Sequence, residues 1–160
     1  MSLWQIGLLE SIFHATSVIC EIPSGMLADR FSYKTNLYLS RIAGIVSSVL
    51  MLAGQGNFWV YALAMVISAW SYNFDSWTSA AMVYYSSLEA GLNERYLSIS
   101  SFMSGVAEAT RSLGTVWAGF FVHGQLHLTY YIMIGTSIIV LFLTWMLKEP
   151  SVKAEKAERL

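Results

Sequence analysis

Charge is what this sequence has least of. Only 12% of its 160 residues are Asp, Glu, Lys or Arg, against about 25% in an ordinary soluble domain. Hydrophobic residues make up 56% and the mean hydropathy is +0.53, so a membrane protein is the first reading. The net charge is −1 and no basic face gathers on a soluble element, so nucleic acid is not an expected partner. Cysteine is reduced to Cys20, which rules out an internal disulfide. Its place inside an apolar run suggests a buried, inert thiol. Proline occurs only as Pro23 and Pro150, and Pro23 falls where it would kink the end of the first apolar run. That run lacks a positive leading segment and an Ala-x-Ala-like cleavage site, so it is not a secretory signal. Also missing are a nucleophile elbow, a phosphate-binding Gly loop, Cys-x-x-Cys and His-Glu-x-x-His. No enzyme activity, cofactor or metal is therefore expected. His123 and His127 have the spacing of two helical metal ligands. Gly124 between them and the lack of acidic or cysteine partners favour plain interfacial histidines.

What is present is a set of apolar runs. Five spans are expected, at about 4–28, 37–53, 58–86, 97–122 and 128–147, followed by a charged tail at 148–160. The fold class is an all-α membrane protein, with a membrane domain over 1–147. The third span is long enough to tilt or to project beyond the bilayer. Arg30, Lys34, Arg95 and Lys148 sit at alternate span ends, and the opposite loops carry no Lys or Arg. The positive-inside rule then puts the N-terminus outside and the tail in the cytoplasm of a cell-membrane protein. Trp4, Trp59, Tyr61, Tyr130 and Tyr131 near one boundary, and Tyr33, Tyr38, Tyr96 and Trp145 near the other, read as two aromatic belts.

The most informative stretch joins the first two spans and runs from Glu21 to Lys34, EIPSGMLADRFSYK. A glycine, an acid and bases at fixed spacing interrupt apolar sequence there. Gly25 would let the helix end approach a neighbour closely, and Asp29 is placed to face a helix N-terminus. This stretch resembles the signature loop of the major facilitator superfamily, Gly-x-Leu-Ala-Asp-Arg-x-Gly-basic-basic between the second and third helices. Gly25, Leu27, Ala28, Asp29, Arg30 and Lys34 match; Ser32 replaces the second glycine and Tyr33 the first of the final bases. Glu21-x-Pro23-x-Gly25 upstream is similar to one mainly bacterial subgroup. Phe74, Ser76, Ala81, Tyr84 and Ser86 resemble its fourth helix, with Trp77 at the glycine position, and Glu149-Pro150 resembles the pair after its sixth. The arginine signature of helix four and the Gly-Pro motif of antiporter helix five are missing.

The resemblance implies an incomplete N-terminal bundle: helices two to six of a twelve-helix transporter, without helix one and the second half. In that family helices one and four line the cavity, two and five form the interface between halves, and three and six face lipid. Asp29 would then belong to a gate that latches the other half in one state and releases it in the other.

Charges inside spans are costly and are functional candidates by default. Glu108 and Arg111 are i,i+3 on the fourth span, and Asp75 lies on the third. Counting about 1.5 Å per residue from the cytoplasmic ends puts Asp75 and Glu108 at roughly 16 Å and Arg111 at roughly 21 Å. The three can meet as a substrate-anion or proton-coupling site, the spare acid holding a proton, or as an ion-pair cluster that locks two helices. Glu10, His14 and Glu21 on the first span form either a proton relay or a polar packing stripe. Ser47, Ser48, Ser98, Ser100, Ser101 and Ser104 read as small residues permitting close helix packing.

The expected function is part of a secondary active transporter that moves a small molecule by alternating access. It is expected to be truncated and not competent alone. The expected partners are membrane lipid, a small-molecule substrate, a proton or other coupling ion, and a missing second half or another copy of the chain. The rival is a small multi-pass membrane protein that does not transport and serves as a scaffold or partner subunit.

Overall fold

A computed structural model describes residues 1–121 and 126–147, apart from the side chains of Ala28, Asp29, Phe120 and Leu126. Among the described residues there are five α-helices and no strand: α1 (Leu3–Arg30), α2 (Tyr33–Ala53), α3 (Phe58–Glu89), α4 (Tyr96–Phe121) and α5 (Leu126–Met146). A single 3-10 turn, Asn93–Arg95, precedes α4. The tail at 148–160 and the turn carrying His123 lie outside the described residues.

Local chemistry sets the helix ends. Ser2 and Gln5 form a capping box at the start of α1, with Ser2 Oγ accepting from the Gln5 N–H at 3.3 Å and Gln5 Oε1 accepting from the Ser2 N–H at 3.0 Å. Asn57 caps α3 by accepting from the Trp59 N–H at 3.0 Å. The end of α3 closes over Gly91, whose φ of +69° is the left-handed conformation. That turn lets the Leu92 N–H reach the Ser87 carbonyl at 2.8 Å. It carries the helix past residue 86, where apolar content alone placed the end of the span. At the other end of the bundle, Gly54 lies against the ring of Tyr61, where a Cβ would collide. The Tyr61 hydroxyl accepts from the Gly56 N–H at 3.0 Å, which fixes the ring in that place.

Helix α3 is the centre of the bundle. It packs on α2 along one side and on α1 along the other, while α2 also packs on α5. Helix α4 touches α3 and α5 only slightly. Among the described residues three helices are long and apolar enough to cross a membrane, within Leu3–Leu27, Tyr33–Ala53 and His127–Met146. At 32 residues α3 is about 48 Å long, well beyond the roughly 30 Å of a hydrocarbon core.

Polar atoms do much of the joining. Ser40 Oγ donates to the Ser71 carbonyl at 2.9 Å and Ser71 Oγ donates back to the Ser40 carbonyl at 2.8 Å. Ser47 Oγ donates to the Ala64 carbonyl at 2.8 Å. Between α1 and α3, Ser17 Oγ donates to Asn73 Oδ1 at 2.8 Å, and Asn73 Nδ2 returns a bond to the Ser17 carbonyl at 2.9 Å. In lipid, where apolar contact gives little net drive, small residues and such bonds hold helices together. Ser47 and Ser48 are buried as packing residues. Ser98, Ser101 and Ser104 on α4 are exposed, because no described helix covers that face. Cys20 is half-buried rather than buried, since the part of α1 around it packs on α3 along only one side. Pro23 leaves α1 unbroken from Leu3 to Arg30.

Candidate functional site

The signature stretch is more helical than its sequence suggests. Helix α1 continues through Ala28 and Asp29 to Arg30, and α2 restarts at Tyr33, so only Phe31 and Ser32 turn the chain. The Phe31 N–H donates to the Leu27 carbonyl at 3.3 Å and closes α1. Ser32 is the N-cap of α2, its hydroxyl accepting from the Thr35 N–H at 3.1 Å. Tyr33 is buried against Leu37 and Met82, with the Tyr85 ring 6.0 Å away. The two residues that depart from the signature are thus the ones that cap and anchor α2. A serine side chain satisfies an orphan N–H that glycine cannot, and a tyrosine fills core that a base would not.

Lys34 reaches across to α5. Its Nζ donates to the Trp145 carbonyl at 3.0 Å, at the last turn of α5. A cation there satisfies a terminal carbonyl and complements the negative helix end. The signature therefore ties α1, α2 and α5 together at one end of the bundle. Gly25 does not sit against a neighbour: a Cβ there would meet open space. It lines a cavity of about 410 Å³ between α1 and α3. The side chains of Ala28 and Asp29 lie outside the described residues.

The intramembrane charges do not gather into one cluster. Asp75 pairs with Arg41 of α2, with Oδ1 2.7 Å from Nη2. It does not join Arg111, because α3 barely meets α4. Both partners are about two-thirds buried, and Arg41 Nε is buried without a hydrogen-bond partner. Arg41 was not among the expected site residues; its place inside α2, eight residues past the Tyr33 start, was the available signal. Glu108 and Arg111 face each other along α4 at 3.9 Å and are 69% and 65% exposed. Glu10 and His14 are 3.3 Å apart on an exposed face of α1. Glu21 is exposed too, at the mouth of the cavity, and its carboxylate has no ion-pair partner among the described residues. No group of His, Cys, Asp and Glu able to hold a metal occurs among the described residues.

The assembly is a bundle of apolar helices carrying a signature turn and separate charged pairs. The family model of the Major Facilitator Superfamily matches residues 1–159. The chain belongs to the major facilitator superfamily. It is a membrane-embedded, multi-pass protein of a transporter family whose members are generally not enzymes. No curated protein and no solved structure matches it.

Proposed function

We propose that these helices form part of a secondary active transporter that moves a small molecule across the cell membrane by alternating access. The observation that carries this reading is the placing of charge on α1 and α4. Glu10, Glu21, Glu108 and Arg111 all lie on faces that no described helix covers. Facing lipid, each would cost about 2.5–3.5 kcal/mol at a helix centre. A water-lined path or further protein removes that cost, and a solute pathway between two sets of helices supplies both.

In this reading α1 to α5 correspond to the second to sixth helices of a major facilitator bundle. The open faces of α1 and α4 meet further helices, either in a longer polypeptide or in another copy of the chain. Gly25, Leu27, Ala28, Asp29, Arg30 and Lys34 form the gating turn, and Asp29 is the residue that engages the opposing half. Glu10, Glu21, Asp75, Glu108 and Arg111 are candidates for substrate or proton contact. The Lys and Arg distribution puts the signature turn and the tail in the cytoplasm and the N-terminus outside.

Uptake by a proteoliposome-reconstituted assembly tests the proposal. Asp29→Asn is expected to cut solute flux at least tenfold at normal expression and helicity. Glu108→Gln is expected to alter the dependence of flux on a proton gradient. Full flux in both variants would overturn the assigned roles. Flux-free vesicles across a broad panel of solutes, with the assembly intact, would overturn transport itself.

A further inference from the structure

Helix α1 turns one side to α3 and leaves the other bare. On the packed side Leu9 and Ser24 are buried, the Phe13 ring lies 6.1 Å from that of Tyr72, and Ser17 bonds Asn73 at 2.8 Å. Glu10 and His14 fall outside that side and are 64% and 69% exposed. Gly7 near them faces open space, and the Ser11 hydroxyl donates back to the Gly7 carbonyl at 2.9 Å. On α4, Glu108 and Arg111 stand among short side chains, Ser101, Ser104 and Thr115, all exposed. The Thr115 hydroxyl is bound to the Arg111 carbonyl at 3.0 Å. Each helix therefore presents a pair of ionisable groups beside residues small enough to let another helix come close.

The two pairs match in sign and in depth. With spans crossing alternately, the start of α1 and the end of α4 lie at the same membrane surface. At about 1.5 Å per residue, Glu10 is roughly 10.5 Å below the α1 start at Leu3, and His14 roughly 16.5 Å. Below the α4 end at Phe121, Arg111 is roughly 15 Å down and Glu108 roughly 19.5 Å. Going inward, α1 reads acid then imidazole, and α4 reads base then acid. Glu10 is level with Arg111, and His14 with Glu108, to within one helical turn of about 5.4 Å. Within one chain α1 packs on α3, and α4 lies lightly against α3 and α5, so neither pair meets the other. The Glu108–Arg111 contact is loose at 3.9 Å, and a guanidinium carries five N–H donors, so both groups can bind a further partner.

We propose that these sides of α1 and α4 join two copies of the chain, set side by side in one membrane orientation. Glu10 of each copy pairs with Arg111 of the other, and His14 of each offers an N–H to Glu108 of the other. A two-fold axis along the membrane normal makes both contacts at once, which closes the assembly at two chains. Groups that would face lipid on a single chain then neutralise one another inside an interface. The inference deepens the transport reading by naming what covers the open faces of α1 and α4, but it needs no solute to move.

Light scattering of the purified full chain in mild detergent, with the detergent's share subtracted, measures the protein mass. A mass of two chains is expected. Glu10→Arg and Arg111→Glu each set like charges opposite one another in a dimer of one variant, and each is expected to weaken self-association at least tenfold. Mixing the two variants is expected to restore it, because both contacts of the mixed pair again join opposite charges. Glu94→Gln in the exposed 3-10 turn is expected to change nothing. Should a single variant fail to fold, both changes combined in one chain repeat the test, since that chain is expected to pair with itself. The mass of the unaltered chain decides whatever the variants do. A monomeric unaltered chain, an open series of higher masses, single variants that associate as before, or a mixture no tighter than its components would each overturn the proposal. Solute flux from a chain that stays monomeric overturns the pairing alone. A dimer that moves no solute overturns the transport reading alone.

Discussion

The α2–α3 interface and helix α4 are made of similar material and end up in opposite situations. Both are apolar sequence with one basic and one acidic residue and many small side chains. At the interface, Ser40, Ser47 and Ser71 bond across to the other helix, Gly44 lies beside Ser71, and Arg41 meets Asp75. On α4, Gly105, Gly114 and Gly119 face open space. Its threonines bond within the helix, Thr110 to the Val106 carbonyl and Thr115 to the Arg111 carbonyl. Small residues make close approach possible but do not cause it. Closure needs a second surface whose donors and acceptors are in register, and among the described residues α4 has none. A helix with charges and small residues but no partner is one prepared for an interface made elsewhere.

The largest test of this contrast breaks the ion pair. Asp75→Leu leaves Arg41 alone between α2 and α3, and a loss of about 3 kcal/mol is expected. Unfolding in mixed micelles measures it. The double variant Arg41→Leu with Asp75→Leu should recover most of the loss, because a stranded charge costs more than an absent pair. If Asp75→Leu is neutral, the pair is not holding the seam.

Next comes the turn that closes the same two helices. Gly54→Ala drives a methyl into the Tyr61 ring, which its bond to the Gly56 N–H holds in place. Overpacking of this kind costs about 1–3 kcal/mol, read as a lower melting temperature. An unchanged melt would mean that the ring moves freely.

A smaller effect is expected from Ser40→Ala and Ser71→Ala, which remove the reciprocal pair. Interhelical hydrogen bonds in membranes average about 0.6 kcal/mol and reach about 1.7. A double-mutant cycle should show nearly additive losses, since each hydroxyl bonds a backbone carbonyl that the other substitution leaves in place.

The smallest effect belongs to α4. Replacing both Glu108 and Arg111 by leucine should change the stability of the isolated chain by no more than about 0.5 kcal/mol, because no described helix covers the pair and its exposure to the micelle is the same folded and unfolded. A loss comparable to that of Asp75→Leu would show α4 to be packed and erase the contrast. Stability retained with flux lost in the reconstituted assembly would sharpen it.

The sequence by itself determined that the chain is helical and membrane-embedded, and which family it joins. Hydrophobic run length and scarcity of charge are properties of composition and order, and the signature residues from Gly25 to Lys34 are contiguous. It also held local pairings: Glu10 with His14 and Glu108 with Arg111 follow from helical spacing alone. Tertiary structure alone decided which helices touch. Asp75 and Arg111 sit at similar depths on consecutive spans, but α3 turns its packed sides to α1 and α2, so Asp75 finds Arg41. Tyr33 became a core residue and Lys34 a cap for α5 because of where α3 and α5 lie, which no local pattern records. The cavity beside Glu21 was equally hidden, since its walls come from residues 21–33 and 77–81. Depth along a helix is written in the sequence; the rotation of one helix against another is fixed only by the surfaces it meets.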